Sequence, residues 1–255
     1  MYINNFDPVA FEILSLEIRW YSLAYIFGII FGWMYIKKKL IKDRTIYNSF
    51  DDLIGYLIIG IIIGGRLGYI LFYNLKYYLE NPIEIFMVWN GGMSFHGGLV
   101  GVFVATLIYS KKTKINKYLY LDVIAVSAPI GIFFGRIANF INGELVGKVT
   151  NVSWGVIFPT VDNLSRHPSQ LYEAFLEGIV LFIILNFIFF KKKYRLGLCA
   201  SSFCVFYGIF RIVSEIFREP DKHIGNIIEY LTVGMILSSA MIFVGILLYY
   251  KKNEK

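Results

Sequence analysis

The sequence predicts an all-α polytopic membrane protein: a bundle of about seven transmembrane helices with a small extracytoplasmic cap, the N-terminus outside the cytoplasm and the C-terminus inside. Hydrophobic residues make up 57% of the 255 residues and charged residues 17%, whereas soluble domains carry about 45–50% and about 25%. The apolar residues form long unbroken runs, and basic residues gather between them. A soluble fold would leave most of these runs with no water-facing side, so we exclude it.

Each predicted span is an apolar run, and a helix that crosses a bilayer needs about 20 such residues. The third span is short, and its outer start is rich in glycine. We treat the whole chain, 1–255, as a single transmembrane domain. The predicted spans cover residues 20–36, 53–72, 95–109, 119–139, 170–190, 196–217 and 227–250.

The basic residues predict the orientation. Of the 25 lysines and arginines, 16 lie in four clusters, at residues 37–44, 111–117, 191–195 and 251–255. With seven spans, all four clusters fall on one side of the membrane, as the excess of basic residues in cytoplasmic loops requires. One span more or fewer would place some clusters outside. Topology therefore explains the net charge of +7, and we predict no nucleic-acid partner.

Two outside loops differ in composition. Residues 76–92 mix aromatic residues with scattered charges, which favours an arm lying in the membrane interface, although a plain connecting loop is equally compatible. Residues 140–169 carry charges among glycine and proline, which favours a small extracytoplasmic head over a plain connecting loop.

Ionisable and polar side chains inside the predicted spans form a further pattern. Such residues are costly in lipid and usually face a cavity or a partner. With about 1.5 Å of rise per residue, they converge on the outer half of the bilayer from six different spans. This predicted polar layer consists of Tyr21, Arg66, His96, Arg136, Glu173, Arg211 and Glu215.

The arginines of this layer have two explanations. Arg211 and Glu215 are four residues apart on one helix face, so they could form a structural ion pair. Three arginines at one level, however, have only Glu173, Glu177 and Glu215 nearby to neutralise them. Because arginine forks match phosphate oxygens well, we expect a lipid phosphate to supply the missing anion.

His96 lies in the glycine-rich segment 91–101, where a helix N-terminus and close backbone approach favour an anion. A lone histidine is often structural, but this one is the only histidine within a predicted span, and imidazole titrates near neutral pH. His167 and His223 lie in loops without a second ligand at metal spacing, so we predict no metal site. Cys199 and Cys204 are expected to be packing residues.

Segment 135–147 reads Gly-Arg-Ile-Ala-Asn-Phe-Ile-Asn-Gly-Glu-Leu-Val-Gly. It resembles the signature of the prolipoprotein diacylglyceryl transferases, G-R-x-[G/A]-N-F-x-N-x-E-x-x-G, and meets every fixed position. The resemblance spans nearly the full length. Further similar segments are 20–21, 64–74, 91–101, 166–173 and 207–220.

The resemblance implies a seven-helix enzyme of the bacterial inner membrane whose active site faces the extracytoplasmic leaflet. Such an enzyme transfers the diacylglyceryl group of phosphatidylglycerol to the lipobox cysteine of a prolipoprotein signal peptide and releases glycerol 1-phosphate. It implies no cofactor, and it names membrane lipid and the signal peptide as partners. Ser22 departs from the glycine that the family often has there, which bears on the packing of the first span.

Residue roles follow from the matched motifs. Arg136 and Arg211 would hold the lipid phosphate, while Asn139, Glu144 and Gly147 would shape the head-group site. Tyr21, His96 and Glu215 match positions that the family uses at or near the reaction centre. Supporting roles would fall to Arg66, Glu173 and Tyr207.

These residues support a displacement at a glycerol carbon, with sulfur arriving and a phosphate monoester leaving. The attacking group must be a thiolate, so His96 is the candidate base. Arg136 and Arg211 would stabilise the leaving phosphate.

Two other functions are compatible with part of this pattern. An anion transporter or channel would also place arginines in the membrane, but it predicts polar residues through both leaflets, and the cytoplasmic halves of these spans are almost purely apolar except for Asp122. A non-catalytic assembly subunit that binds lipid only to hold its partners together would keep its function after Arg136→Ala and His96→Gln.

Overall fold

A computed structural model describes residues 2–13, 16–192, 194–220 and 231–251. The chain divides into two compact units, here called unit one (Met1–Lys38 and Asp122–Lys255) and unit two (Lys39–Leu121). The prediction of one transmembrane domain stays a prediction. His223 and the predicted start of the last span, 227–230, lie outside the described residues, as do residues 252–255 of the last basic cluster.

The described residues are mostly helical. The helices are α1 (Trp20–Tyr35), α2 (Arg44–Tyr73), α3 (Leu75–Glu80), α4 (Phe95–Thr113), α5 (Lys117–Asn142), α6 (Ser169–Glu173), α7 (Leu181–Phe189), α8 (Leu198–Glu215) and α9 (Val233–Lys251). Two π-helical segments, Ile36–Leu40 and Ala174–Val180, extend α1 and join α6 to α7. Two short 3₁₀ helices, Pro82–Phe86 and Val88–Asn90, follow α3.

Five helices among the described residues are long and apolar enough to cross a membrane, which makes this a polytopic membrane protein. They are Ile46–Tyr73, Lys117–Asn142, Ser169–Phe189, Leu198–Glu215 and Val233–Tyr250. The other two predicted spans correspond to α1, which has 16 residues, and to α4, which carries Lys111 and Lys112 in its last turn.

Unit two is organised by a close pair of helices. Gly60, Gly64 and Gly68 recur every four residues along α2, and Gly97 and Gly101 do so along α4. A Cβ atom added at Gly64 would lie 2.8 Å from the Cα atom of Gly101, and one added at Gly68 would lie 2.6 Å from that of Gly97. Glycine is therefore required at this contact, as in other small-residue helix pairs in lipid.

Unit one contains similar small-residue contacts and a buried helix cap. A Cβ atom at Gly28 of α1 would lie 2.8 Å from the Cα atom of Gly131 in α5. The fully buried carboxylate of Asp122 accepts hydrogen bonds from the backbone N–H groups of Gly197 and Ala200 and from the Tyr194 hydroxyl. Asp122 thus satisfies N–H groups at the start of α8, which helix ends require.

Short strands close the end of unit one that carries the predicted head, 140–169. Strand β4 (Val156–Ile157) pairs in parallel with β1 (Tyr2–Ile3) and antiparallel with β5 (Ser165–Arg166). A small apolar core lies beneath them, formed by Val146, Val156 and Phe158 with Phe140. Strands β2 (Val9–Ile13) and β3 (Leu16–Arg19) form a separate hairpin that leads into α1.

Candidate active site

The signature segment begins on α5 and continues into a tight loop after it. The Asn139 side chain is 5% exposed and donates to Glu144 Oε2 at 3.3 Å, while Asn142 donates to Glu144 Oε1 at 3.2 Å. The Glu144 backbone N–H donates to the Asn139 carbonyl, which ends the helix. Gly143 has φ +65°, a conformation that glycine adopts at little cost. The carboxylate of Glu144 is thereby fixed beside the end of α5.

The first residues of α6 hold this loop from the other side. Gln170 is fully buried and donates to the Glu144 carbonyl at 2.6 Å, and the Ser169 hydroxyl donates to the Leu145 carbonyl at 3.0 Å. Segments 135–147 and 166–173, which both resemble the family, are therefore joined by hydrogen bonds into one structural element.

Gly147 lies between two backbone segments. Its N–H donates to the His167 carbonyl at 3.0 Å, and it pairs with Arg218 in an antiparallel bridge. A Cβ atom there would lie 2.6 Å from the His167 Cβ atom and 2.8 Å from the Phe217 carbonyl oxygen. Only glycine fits this position, which explains the fixed glycine at the end of the signature.

Arg136, on α5, contacts two carboxylates, those of Glu173 and Glu177. Its Nη1 lies 2.9 Å from Glu173 Oε2, and its Nη2 lies 3.0 Å from Glu177 Oε2. Its Nε donates to the same Glu177 oxygen at 3.3 Å. Both carboxylates are fully buried. The guanidinium is therefore held along two edges.

Arg211 of α8 contacts two carboxylates of the same group. Its Nη1 lies 2.5 Å from Glu173 Oε1, and its Nη2 lies 2.6 Å from Glu215 Oε2. The ion pair of Arg211 with Glu215, which the sequence left open as one explanation, is thus present. Glu215 also accepts from the Thr232 hydroxyl at 3.0 Å. Tyr207, one turn earlier, is fully buried and stacks on Phe203 with ring centroids 5.5 Å apart.

A third arginine, which the sequence analysis did not single out, lies at the same carboxylate. Arg218 Nη1 is 3.8 Å from Glu173 Oε1, and the residue is 7% exposed. Three arginines therefore face three carboxylates in this part of unit one: Arg136, Arg211, Arg218, Glu173, Glu177 and Glu215.

This pairing revises the charge argument made from the sequence. If all six groups are ionised, their formal charges cancel, so these six residues do not supply the uncompensated positive charge that we expected. A phosphate there must be bound by arginine N–H groups that do not contact these carboxylates. Arg136 has five N–H groups. Two of them donate to Glu177, and Nη1 is in ion-pair contact with Glu173.

Tyr21 lies at the start of α1. Its hydroxyl is 3.3 Å from the hydroxyl of Tyr25, and the rings meet edge to face at 5.1 Å. Tyr21 therefore pairs with Tyr25, a residue that the sequence analysis missed although it lies one turn away on the same face.

Unit two carries the other predicted site residues. Ser94 caps α4 by accepting from the Gly97 N–H at 3.2 Å, which places His96 in the first turn of the helix, half-buried. The ring of His96 meets that of Phe95 at 5.6 Å.

Arg66 of α2 is 3% exposed and is surrounded by main-chain oxygens of the predicted arm, 76–92. Its Nε and Nη2 donate to the carbonyls of Ile85 and Met87, each at 3.1 Å. Further bonds reach the carbonyls of Glu84, Gly91 and Gly92. Arg66 therefore holds the arm, and the phosphate role expected of it gains no support from these contacts.

The head is closed by a separate ion-pair network. Arg166 donates to Asp162 at 2.5 Å and to the Gly147 carbonyl at 3.0 Å, and it lies 3.3 Å from Glu219. The hydrogen bonds to Asp162 raise the pKa of Arg166 above its ordinary value, against the opposing effect of burial. This network ties β5 to the segment that follows α8.

Among the described residues, no group of three or more histidine, cysteine or acidic side chains is arranged to hold a metal ion. Cys199 and Cys204 are free thiols on α8.

Comparison with known proteins gives the same family throughout. The family model described as prolipoprotein diacylglyceryl transferase matches residues 8–251. Relatives named phosphatidylglycerol--prolipoprotein diacylglyceryl transferase match over nearly their whole length. A protein of Rickettsia bellii (strain OSU 85-389) is 52% identical, covering 98% of this chain and 97% of the relative. One of Rickettsia felis (strain ATCC VR-1525 / URRWXCal2) is 50% identical, covering 100% of both. One of Ehrlichia canis (strain Jake) is 54% identical, covering 98% and 96%.

Proposed function

The chain belongs to the prolipoprotein diacylglyceryl transferase family, and from this premise we propose that it transfers the diacylglyceryl group of phosphatidylglycerol to the lipobox cysteine thiol of a prolipoprotein signal peptide. The observation that carries the proposal is the pair of Arg136 and Arg211, which share the fully buried Glu173 directly beside the signature loop. No cofactor is required, because the phospholipid already contains its leaving group.

In this reaction a C–S bond forms at the glycerol carbon while the bond from that carbon to the phosphate oxygen breaks. The products are a thioether and glycerol 1-phosphate, and the thiol proton passes through the proposed base to the leaving phosphate or to solvent. Negative charge grows on the leaving oxygen as the bond breaks. Arg136 and Arg211 are prepositioned donors for that charge, and such a donor contributes about 3 kcal/mol to transition-state stabilisation.

Asn139, Glu144 and Gly147 form the proposed head-group site. The amide of Asn139 and the carboxylate of Glu144 are polar groups suited to the hydroxyls of a glycerol head group, since a carboxylate accepts and an amide both donates and accepts. Gly147 acts through the backbone, because it permits the pairing that holds this loop against Arg218.

His96 is the proposed base that takes the thiol proton. Its support is the glycine-rich motif and its place in the first turn of α4. Tyr21 and Glu215 are proposed to act near the reaction centre, and Tyr207 and Glu173 to support the arginines.

We further propose seven spans in the bacterial inner membrane, with the N-terminus outside and the C-terminus inside. Arg211 lies about 20 Å along α8 from its start, which directly follows the basic cluster at 191–195. The cluster of Arg136 and Arg211 then faces the extracytoplasmic leaflet. The arm at 76–92 would lie in the membrane interface, since Ile83, Phe86 and Trp89 are each more than 70% exposed.

The direct test incubates the purified full-length protein with phosphatidylglycerol and a lipobox peptide. We expect a mass gain of one diacylglyceryl group on the peptide, and no gain when serine replaces the lipobox cysteine. Absence of the gain, beside an active family member, would refute the proposal. Release of an entrapped anion from liposomes containing the protein, without lipid transfer, would instead favour the transporter or channel.

A further inference from the structure

Glu177 is a buried carboxylate whose position the proposed reaction does not explain. It lies in the π-helical segment Ala174–Val180, between α6 and α7, and is fully buried. π-helical turns are rare and occur frequently at functional sites. Its Oε2 atom contacts Arg136, whereas its Oε1 atom is buried with no hydrogen-bond partner among the described residues.

Stability alone does not account for this residue. A buried polar atom without a partner is destabilising. Apolar residues often replace both members of a buried ion pair without loss of stability, so a carboxylate here is needed only because Arg136 is present. A carboxylate at this position is therefore better explained by what it does to Arg136.

The carboxylates around the two arginines follow a regular arrangement. Glu173 is shared, because its two oxygens contact Arg136 and Arg211 separately. Each arginine then has one carboxylate of its own, Glu177 for Arg136 and Glu215 for Arg211. Each guanidinium is thus held at two points, and two points suffice to fix the direction in which a planar fork presents its other N–H groups.

We propose that Glu177 is a positioning residue for phosphate recognition: by accepting at Nε and Nη2 of Arg136, it fixes the plane of that guanidinium so that the remaining N–H groups face the phosphate of the phospholipid. This inference rests on the proposed function. Glu177 itself does not touch the substrate. It acts through Arg136, so its removal should affect the two phosphate-bearing molecules and leave recognition of the peptide unchanged.

The test compares Glu177→Leu and Glu177→Gln with wild type, using full-length protein in nanodiscs. Glu12→Gln, in an exposed strand, is the matched control. Three constants are measured after normalising for active protein: the KM for phosphatidylglycerol, the KM for the lipobox peptide, and the inhibition constant of glycerol 1-phosphate. We expect Glu177→Leu to raise both phosphate-dependent constants by about tenfold, the effect of losing a hydrogen bond to a charged group. Glu177→Gln keeps one acceptor oxygen and should be intermediate.

A merely structural role predicts less active protein with all three constants unchanged, and that result would overturn the inference. A fall in both phosphate-dependent constants would also overturn it, because the negative charge of Glu177 would then weaken phosphate binding by Arg136. If wild type and Glu12→Gln show no lipid transfer, the proposed function fails. If they are active and the Glu177 variants match them, only this inference fails.

A second measurement tests the inference even if Glu177→Leu folds poorly. Binding of glycerol 1-phosphate is measured calorimetrically for Glu177→Gln, Arg136→Lys and the double variant. A residue that acts through Arg136 should have a smaller effect once Arg136 is replaced. An equal effect of Glu177→Gln in both backgrounds would overturn the inference.

Discussion

Glu173 Oε1 lies 2.5 Å from Arg211 Nη1, although the two residues are 38 positions apart in the chain. The other oxygen of this carboxylate contacts Arg136 at 2.9 Å, so one side chain of α6 joins α5 to α8. The relationship makes Glu173 the centre of the charged cluster and sets the separation of its two arginines.

Replacing Glu173 with glutamine should disrupt the cluster. An amide offers one acceptor oxygen, so one arginine would lose a partner, and removing one member of a buried ion pair typically destabilises by about 3–5 kcal/mol. We expect a lower thermal midpoint and a large loss of diacylglyceryl transfer, followed by mass spectrometry of the peptide. Glu17→Gln, which alters an exposed pair with Arg19, is the control and should retain both stability and activity. Unchanged activity of the Glu173 variant would contradict the central position given to this residue.

Substitution of either proposed phosphate-binding arginine by alanine should slow transfer strongly while the helices stay folded. The loss of one oriented donor corresponds to about 3 kcal/mol, or roughly a hundredfold in rate. Lysine should restore little of the rate, because it offers a point charge in place of a planar fork. Circular dichroism and size-exclusion chromatography monitor folding. Full activity in both Arg136→Ala and Arg211→Ala would refute the phosphate role.

Part of this site follows from sequence because its spacing is local. The pair of Arg211 with Glu215 is set by the helical repeat, which puts residues four apart on one face. The outer-layer prediction brought Arg136, Arg211 and Glu173 to similar depths, since the rise per residue is fixed. Apolar runs likewise located the helices, although α2 begins at Arg44, nine residues before the predicted start, because its first two turns are too polar to resemble a span.

Other contacts could not be predicted because no local pattern encodes them. The proximity of Arg218 to Glu173 depends on the antiparallel bridge of Arg218 with Gly147, a tertiary contact. The partners of Arg66 are main-chain carbonyls, which every sequence contains and which therefore leave no signal. Asp122 was noted only as a polar exception, and its role as a cap depends on the turn at Gly197.

Gly147→Ala should destabilise the head and lower activity. The added methyl group would overlap the His167 and Phe217 backbones, so the pairing around Arg218 must shift. Overpacking of this kind costs about 1–3 kcal/mol. Gly55→Ala is the control, because a Cβ atom there meets nothing within 4 Å and alanine favours a helix. Thermal unfolding and peptide lipidation measure both effects. Equal behaviour of the two variants would contradict the steric explanation of Gly147.

Arg66→Lys should loosen the arm without removing its positive charge. The guanidinium reaches five carbonyls of the segment from Glu84 to Gly92, and an ammonium group has three donors on a flexible stem. Hydrogen–deuterium exchange of residues 81–92 should therefore become faster, because these turns have few other buried contacts to hold them. Arg19→Lys, at an exposed site, provides the matched control for an arginine-to-lysine change and should leave exchange in the arm unaltered. Phosphatidylglycerol binding measured on the same preparations separates two roles for Arg66. Faster exchange with unchanged phospholipid affinity is expected of a residue that organises the arm. Weaker affinity with unchanged exchange would instead support the phosphate role that the sequence predicts for Arg66.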